Sequence, residues 1–85
     1  EAATAGGGSL VQLGAFNSAA EANSAWTSMS KRFQWIAGLN KQVVQAEVGG
    51  RTVHRLRVPA GSHAEAVDMC KRLKVAGQDC LVAAP

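Results

Sequence analysis

Arg55-Leu-Arg-Val-Pro-Ala-Gly-Ser-His-Ala-Glu-Ala66 decides the fold, because it reads as a strand that turns directly into a capped helix. Its first half alternates: His54, Leu56 and Val58 share one side, while Val53, Arg55 and Arg57 share the other. Its second half, Ser62-His-Ala-Glu65, is a capping box, in which the serine hydroxyl accepts from the Glu65 N–H and the glutamate reaches back. The same unit occurs earlier without a gap. Val11-Gln-Leu-Gly-Ala-Phe-Asn-Ser-Ala-Ala-Glu-Ala22 lines up on it, placing Ser18 on Ser62 and Glu21 on Glu65. A strand-helix unit that occurs twice in one short chain predicts a split βαβ duplication, β-α-β-β-α-β.

The remaining elements fit that frame. Leu10-Val-Gln-Leu13 alternates, with Val11 and Leu13 on one face and Leu10 and Gln12 on the other. After Ser18, the apolar positions Ala19, Ala22, Trp26, Met29 and Phe33 recur at helical steps, with the Glu21 carboxylate expected to accept from the Ser18 N–H. Trp35, Ile36 and Leu39 surround Gly38 and are expected to fold back over the edge of the core. Gln42–Val48 is rich in β-branched residues and runs into Gly49-Gly50, so with Arg51–Val58 it forms a hairpin. In the second helix Ala66, Val67, Cys70 and Leu73 make the apolar stripe, Lys71, Arg72 and Lys74 suit the negative end of the dipole, and Gly77 is the stop. Cys80–Val82 closes as a short strand. The expected architecture is α+β and ferredoxin-like (RNP-like): a four-stranded antiparallel sheet with two helices on one face and the other face left to solvent.

Length and composition bound the function. Eighty-five residues that are 47% hydrophobic support one small core. Residues 1–9, Glu-Ala-Ala-Thr-Ala-Gly-Gly-Gly-Ser, have linker composition, so the folded domain is expected over 10–85 and the chain is expected to be a piece of a longer protein. The net charge of +3 and pI near 9.3 suit an anionic partner without requiring one. No apolar run is long enough to span a membrane. His54 and His63 have no companion ligands at metal-binding spacing, the glycine pairs lack a phosphate-loop context, and Glu21 and Glu65 have capping tasks. No cofactor, metal or catalytic constellation is therefore expected. Cys70 and Cys80 leave two readings: a bridge, if their Cα atoms lie within about 7 Å, adding roughly 2–3 kcal/mol, or two buried thiols. The bridge is the preferred one. For the outward face bearing Gln12, Arg55 and Arg57, pattern alone favours an ordinary solvated surface over a binding site.

Val11-Gln-Leu-Gly-Ala-Phe16, followed by Ser18 and Ala22, resembles the opening signature of SPOR domains. Arg55-Leu-Arg-Val58, Ser62, Glu65-Ala66, Leu73-Lys74, Ala76-Gly77 and Cys80-Leu-Val82 resemble the closing one. The match runs over nearly everything after residue 9. The resemblance implies a non-catalytic module that binds peptidoglycan glycan strands stripped of stem peptides. It also implies a monomeric periplasmic domain of a cell-division or envelope protein, held in the inner membrane by an anchor outside this stretch and directed to the septum. Position by position, it places the glycan contacts at Gln12, Ala15, Val53, Arg55 and Leu81, with Phe16 nearby; strand parity adds Arg57. This chain departs from the pattern at Ala15, where serine is common, at Val53, where an aromatic is common, and at Pro59-Ala60, where Gly-Pro is usual. Trp35 is a candidate substitute for the missing ring.

Two other functions share this strand order. An RNA-binding module of the RRM type needs aromatic residues on the central strands to stack bases, and Val53, Arg55 and Arg57 supply none, so no nucleic-acid partner is expected. A small-molecule or protein-interaction domain of the same class is the second, since a fold does not fix a function.

Overall fold

The computed structural model describes residues 9–83. Their elements follow in the order β1 (Ser9–Phe16), α1 (Ala19–Arg32), a 3₁₀ turn (Gln34–Ile36), β2 (Gln42–Val48), β3 (Arg51–Ala60), α2 (His63–Val75) and β4 (Leu81–Ala83). The sheet has the order β2-β3-β1-β4 with every neighbour antiparallel, the arrangement the internal duplication requires. The expected linker at residues 1–9 lies outside the described residues except for Ser9, which opens β1 opposite Ala60.

Both helices start where the sequence places them. Ser18 and Ser62 are extended N-cap residues whose hydroxyls accept from the N–H of Glu21 and Glu65 at 3.1 Å. The reciprocal bond differs from the expected capping box at the first helix: the Glu21 carboxylate accepts from the Asn17 N–H at 3.1 Å instead of that of Ser18. The helix start is unchanged, and only the reciprocal bond moves one residue back. At the far end of α2, Gly77 adopts φ +87°, and Gln78 N–H donates to the Leu73 carbonyl at 2.9 Å. That left-handed residue is why the helix stops where it does.

Gly49 and Gly50 have φ values of +59° and +81°, the two left-handed positions of a two-residue hairpin turn. Val48 and Arg51 are then the closing hydrogen-bonded pair, and alternation fixes which way every other backbone group points. Along β3, Arg51, Val53, Arg55 and Arg57 address β2, and Thr52, His54, Leu56 and Val58 address β1. This parity explains why β3 runs two residues past the expected Val58. Pro59 turns its proton-less nitrogen towards the β2 side, where β2 has already ended at Gln42 opposite Arg57, so no ladder bond is lost. β4 also begins one residue later than expected, at Leu81.

The core lies between the sheet and the helices. Val11, Leu13, Leu56 and Val58 from the strands meet Met29, Phe33, Ile36, Ala66, Cys70 and Leu73. Ala19 is exposed, and Trp26 is only half-buried at the margin. Cys70 and Cys80 are joined, with Cα atoms 5.2 Å apart, so the bridge ties the core face of α2 to the start of β4. Arg32 Nη2 donates to the Ala76 carbonyl at 3.3 Å, holding the end of α1 to the loop after α2.

Candidate binding face of the sheet

The side of the sheet away from the helices carries a defined set of side chains, fixed by register. Gln12 opposes Arg57 on β3 and Leu81 on β4; Ala15 opposes Arg55; Arg55 opposes Val44; Val53 opposes Ala46; Arg57 opposes Gln42. Gln12, Ala15, Val53, Arg55, Arg57 and Leu81 are thereby brought onto one face. At its far end Leu10 sits between Pro59 and Ala83 and is buried, so the accessible area begins at Gln12.

Ala15 reaches this face only because β1 is irregular. Strict alternation from Gln12 would send Gly14 and Phe16 outward and Ala15 inward. The register shifts between Gln12 and Gly14, leaving Leu13 as an extra residue opposite no partner on β3. Parity therefore inverts: Leu13, Gly14 and Phe16 turn towards the helices, and Ala15 turns out beside Arg55. Gly14 is required by this arrangement, since a Cβ there would stand 2.9 Å from Phe16 Cζ, the ring lying directly over the glycine. Phe16, expected near the glycan contacts, is thus packed against the core on the opposite side of the sheet. Sequence parity could not find the bulge, although a glycine two residues before an aromatic in a strand is a signal for it.

Trp35 is also away from this face. It is 39% exposed and stacks under Arg72 of α2, whose Cζ is 4.1 Å from the ring centroid. It shares a groove with Leu39, Met69, Glu65 and Asp68 on the helix side. The tryptophan cannot stand in for the ring missing at Val53.

The electrostatics of the open face are mainly cationic. Arg51, Arg55 and Arg57 lie on it together with Gln12 and Gln42, none of its paired strand positions is acidic, and Asp79 lines a hollow with Gln12, Leu81 and Lys74 at the β4 rim. Glu47, on β2, faces the other way and accepts from Thr52 Oγ1. Two of the arginines are engaged by neutral acceptors: Arg57 Nε donates to Gln12 Oε1 at 3.2 Å, and Arg51 Nη2 to Asn17 Oδ1 at 3.2 Å. Arg55 has no side-chain hydrogen bond or carboxylate partner among the described residues, and its half-buried stem lies between Ala15 and Val44. Val53 and Leu81, the latter 60% exposed, give apolar flanks. A fork of fixed donors, an amide that donates and accepts, and apolar margins can hold an anionic, hydroxyl-bearing ligand in a set orientation. The same face carries no aromatic ring at its described positions, so it has nothing on which to stack a base.

Comparison with known proteins agrees with this architecture. The SPOR domain family model matches residues 5–84. No curated protein matches the sequence. Among solved structures, the peptidoglycan-binding domain of the B. subtilis cell wall lytic enzyme CwlC superposes with a TM-score of 0.60 at 22% identity, over 92% of this chain and 90% of that one. At that identity the likeness is one of fold.

Proposed function

Since the chain belongs to the SPOR domain family, a family of binding domains and not of enzymes, we propose that it binds peptidoglycan through the open face of its sheet, taking glycan strands that lack stem peptides. One observation carries the proposal. The face holds Arg55, Arg57 and Gln12 between the apolar Val53 and Leu81, its paired strand positions carry no acidic side chain, Asp79 stands only at the β4 rim, and the Arg55 guanidinium is unpaired among the described residues. Removing the stem peptide from a muramic acid residue uncovers a lactyl carboxylate. Arg55 receives that carboxylate through a two-pronged, charge-assisted hydrogen bond, while Gln12, already oriented by Arg57, exchanges hydrogen bonds with hydroxyl and acetamido groups. Val53 and Leu81 cover the sugar faces and exclude water, and Ala15, with only a methyl group, lets the strand approach closely.

Such a site recognises a repeating polymer and performs no reaction. Peptidoglycan lies outside the cytoplasm, a setting that permits the Cys70–Cys80 bridge. In the parent protein the domain follows a linker and an inner-membrane anchor and directs a division or envelope protein to the septum, where denuded glycan is exposed. Co-sedimentation with purified sacculi tests this: bound protein rises when the sacculi are first treated with an amidase that removes stem peptides. Equal binding before and after treatment defeats the denuded-strand preference, and absence of binding defeats the ligand class.

A further inference from the structure

We propose that β2 is a self-association edge, through which two copies of the domain join their sheets antiparallel about a two-fold axis at Gln45. This rests on the backbone directions set by the hairpin and is independent of the ligand. Because Gln42, Val44, Ala46 and Val48 address β3, the N–H and C=O groups of Val43, Gln45 and Glu47 point away from the sheet, and β2 is an edge strand. Among the described residues the edge carries little of the usual protection. It runs straight from Gln42 to Val48 in regular register, with no proline, no bulge and a single charged residue, Glu47.

The occupant follows from self-complementarity. A two-fold axis at Gln45 pairs Gln45 with Gln45 of the second copy, and Val43 with Glu47 of the second copy, so the outward-pointing residues meet as hydrogen-bonded pairs in register. On the open face Val44 meets Ala46 and Gln42 meets Val48, which is 47% exposed. On the helix face Lys41, just before the strand, lies diagonally opposite Glu47 of the second copy, so the interface brings opposite charges together twice and like charges not at all. Val43 is half-buried and Gln45 and Glu47 are exposed, so the edge is accessible.

One strand edge is a small interface, so the domain is monomeric when dilute and pairs where copies are concentrated. The joined sheet would be continuous, with the two β3 strands and their arginines about 14 Å apart on one face, three strand spacings. Copies gathered on a polymer reach effective concentrations in the millimolar range, so pairing would raise retention by avidity.

Sedimentation equilibrium and NMR of the isolated domain at millimolar concentration, without glycan, test the pairing. The expected result is a concentration-dependent dimer with shifts centred on the amides of Val43, Gln45 and Glu47. Gln45→Pro removes an outward N–H that serves no bond to β3 and abolishes the dimer. Glu47→Lys sets like charges across the seam and weakens it about 3- to 10-fold, and Lys41→Glu combined with Glu47→Lys restores it, which a merely structural effect would not do. A protein that stays monomeric at millimolar concentration, or a dimer that survives Gln45→Pro or is equally strong in Glu47→Lys, overturns the proposal. Sacculus binding by the monomeric variants separates this outcome from failure of the glycan site.

Discussion

Replacing Arg55 by alanine should remove most of the carboxylate recognition and leave the fold untouched. The side chain makes no hydrogen bond or ion pair among the described residues, and it stands on the open face between Ala15 and Val44. Its loss should therefore shift unfolding free energy by no more than about 0.5 kcal/mol. A charge-assisted hydrogen-bond pair is worth about 1.5–3 kcal/mol. Because Arg55 is only half-buried and stands on a face open to solvent, the lower part of that range applies, roughly 1.5–2 kcal/mol, or about a 10- to 30-fold weaker affinity. Arg55→Lys keeps the charge and loses the fork, so it should fall between the two proteins, about 3-fold below the parent. The assay is calorimetric titration with amidase-treated, solubilised glycan strands, each variant checked by thermal melting. Raised salt should reduce the difference, since the pair faces solvent. A folded Arg55→Ala variant that binds like the parent would refute the assignment of the carboxylate to this residue.

Two further outcomes follow from the packing. Reducing the Cys70–Cys80 bridge, which closes a loop of sequence separation 10, should cost about 2.7 kcal/mol and lower Tm by roughly 10–20 °C; melting with and without reductant checks this, and an unchanged Tm would contradict it. Ser18→Ala and Ser62→Ala each remove a hydroxyl that accepts from the third helical residue and should each cost about 1 kcal/mol by urea unfolding; additive losses are expected, because the two caps belong to different helices.

Most of the architecture was legible because the sequence states it in two independent ways. Helical spacing of Ala22, Met29 and Phe33 and alternation around Leu56 and Val58 each mark a buried side, and the structure buries those residues. The duplicated capping box gives the order of elements, and the glycine pair at 49 and 50 gives the hairpin. What escaped was set by relations between strands. Whether Pro59 ends β3 depends on where β2 stops, which no local pattern encodes. The bulge at Leu13 has the same origin, and it changed the site most, exchanging the faces of Ala15 and Phe16. The partnership of Trp35 with Arg72 joins residues far apart in the chain, and only the docking of the 3₁₀ turn beside α2 brings them together.

The central claim concerns one surface, and amide NMR shifts recorded during titration with denuded glycan oligomers interrogate it residue by residue. Perturbations should gather on Gln12, Ala15, Val53, Arg55, Arg57 and Leu81, with α1 and α2 unmoved. Shifts gathered instead around Trp35, Met69 and Arg72, with the arginine-bearing strands silent, would put the ligand on the helix side and contradict the account.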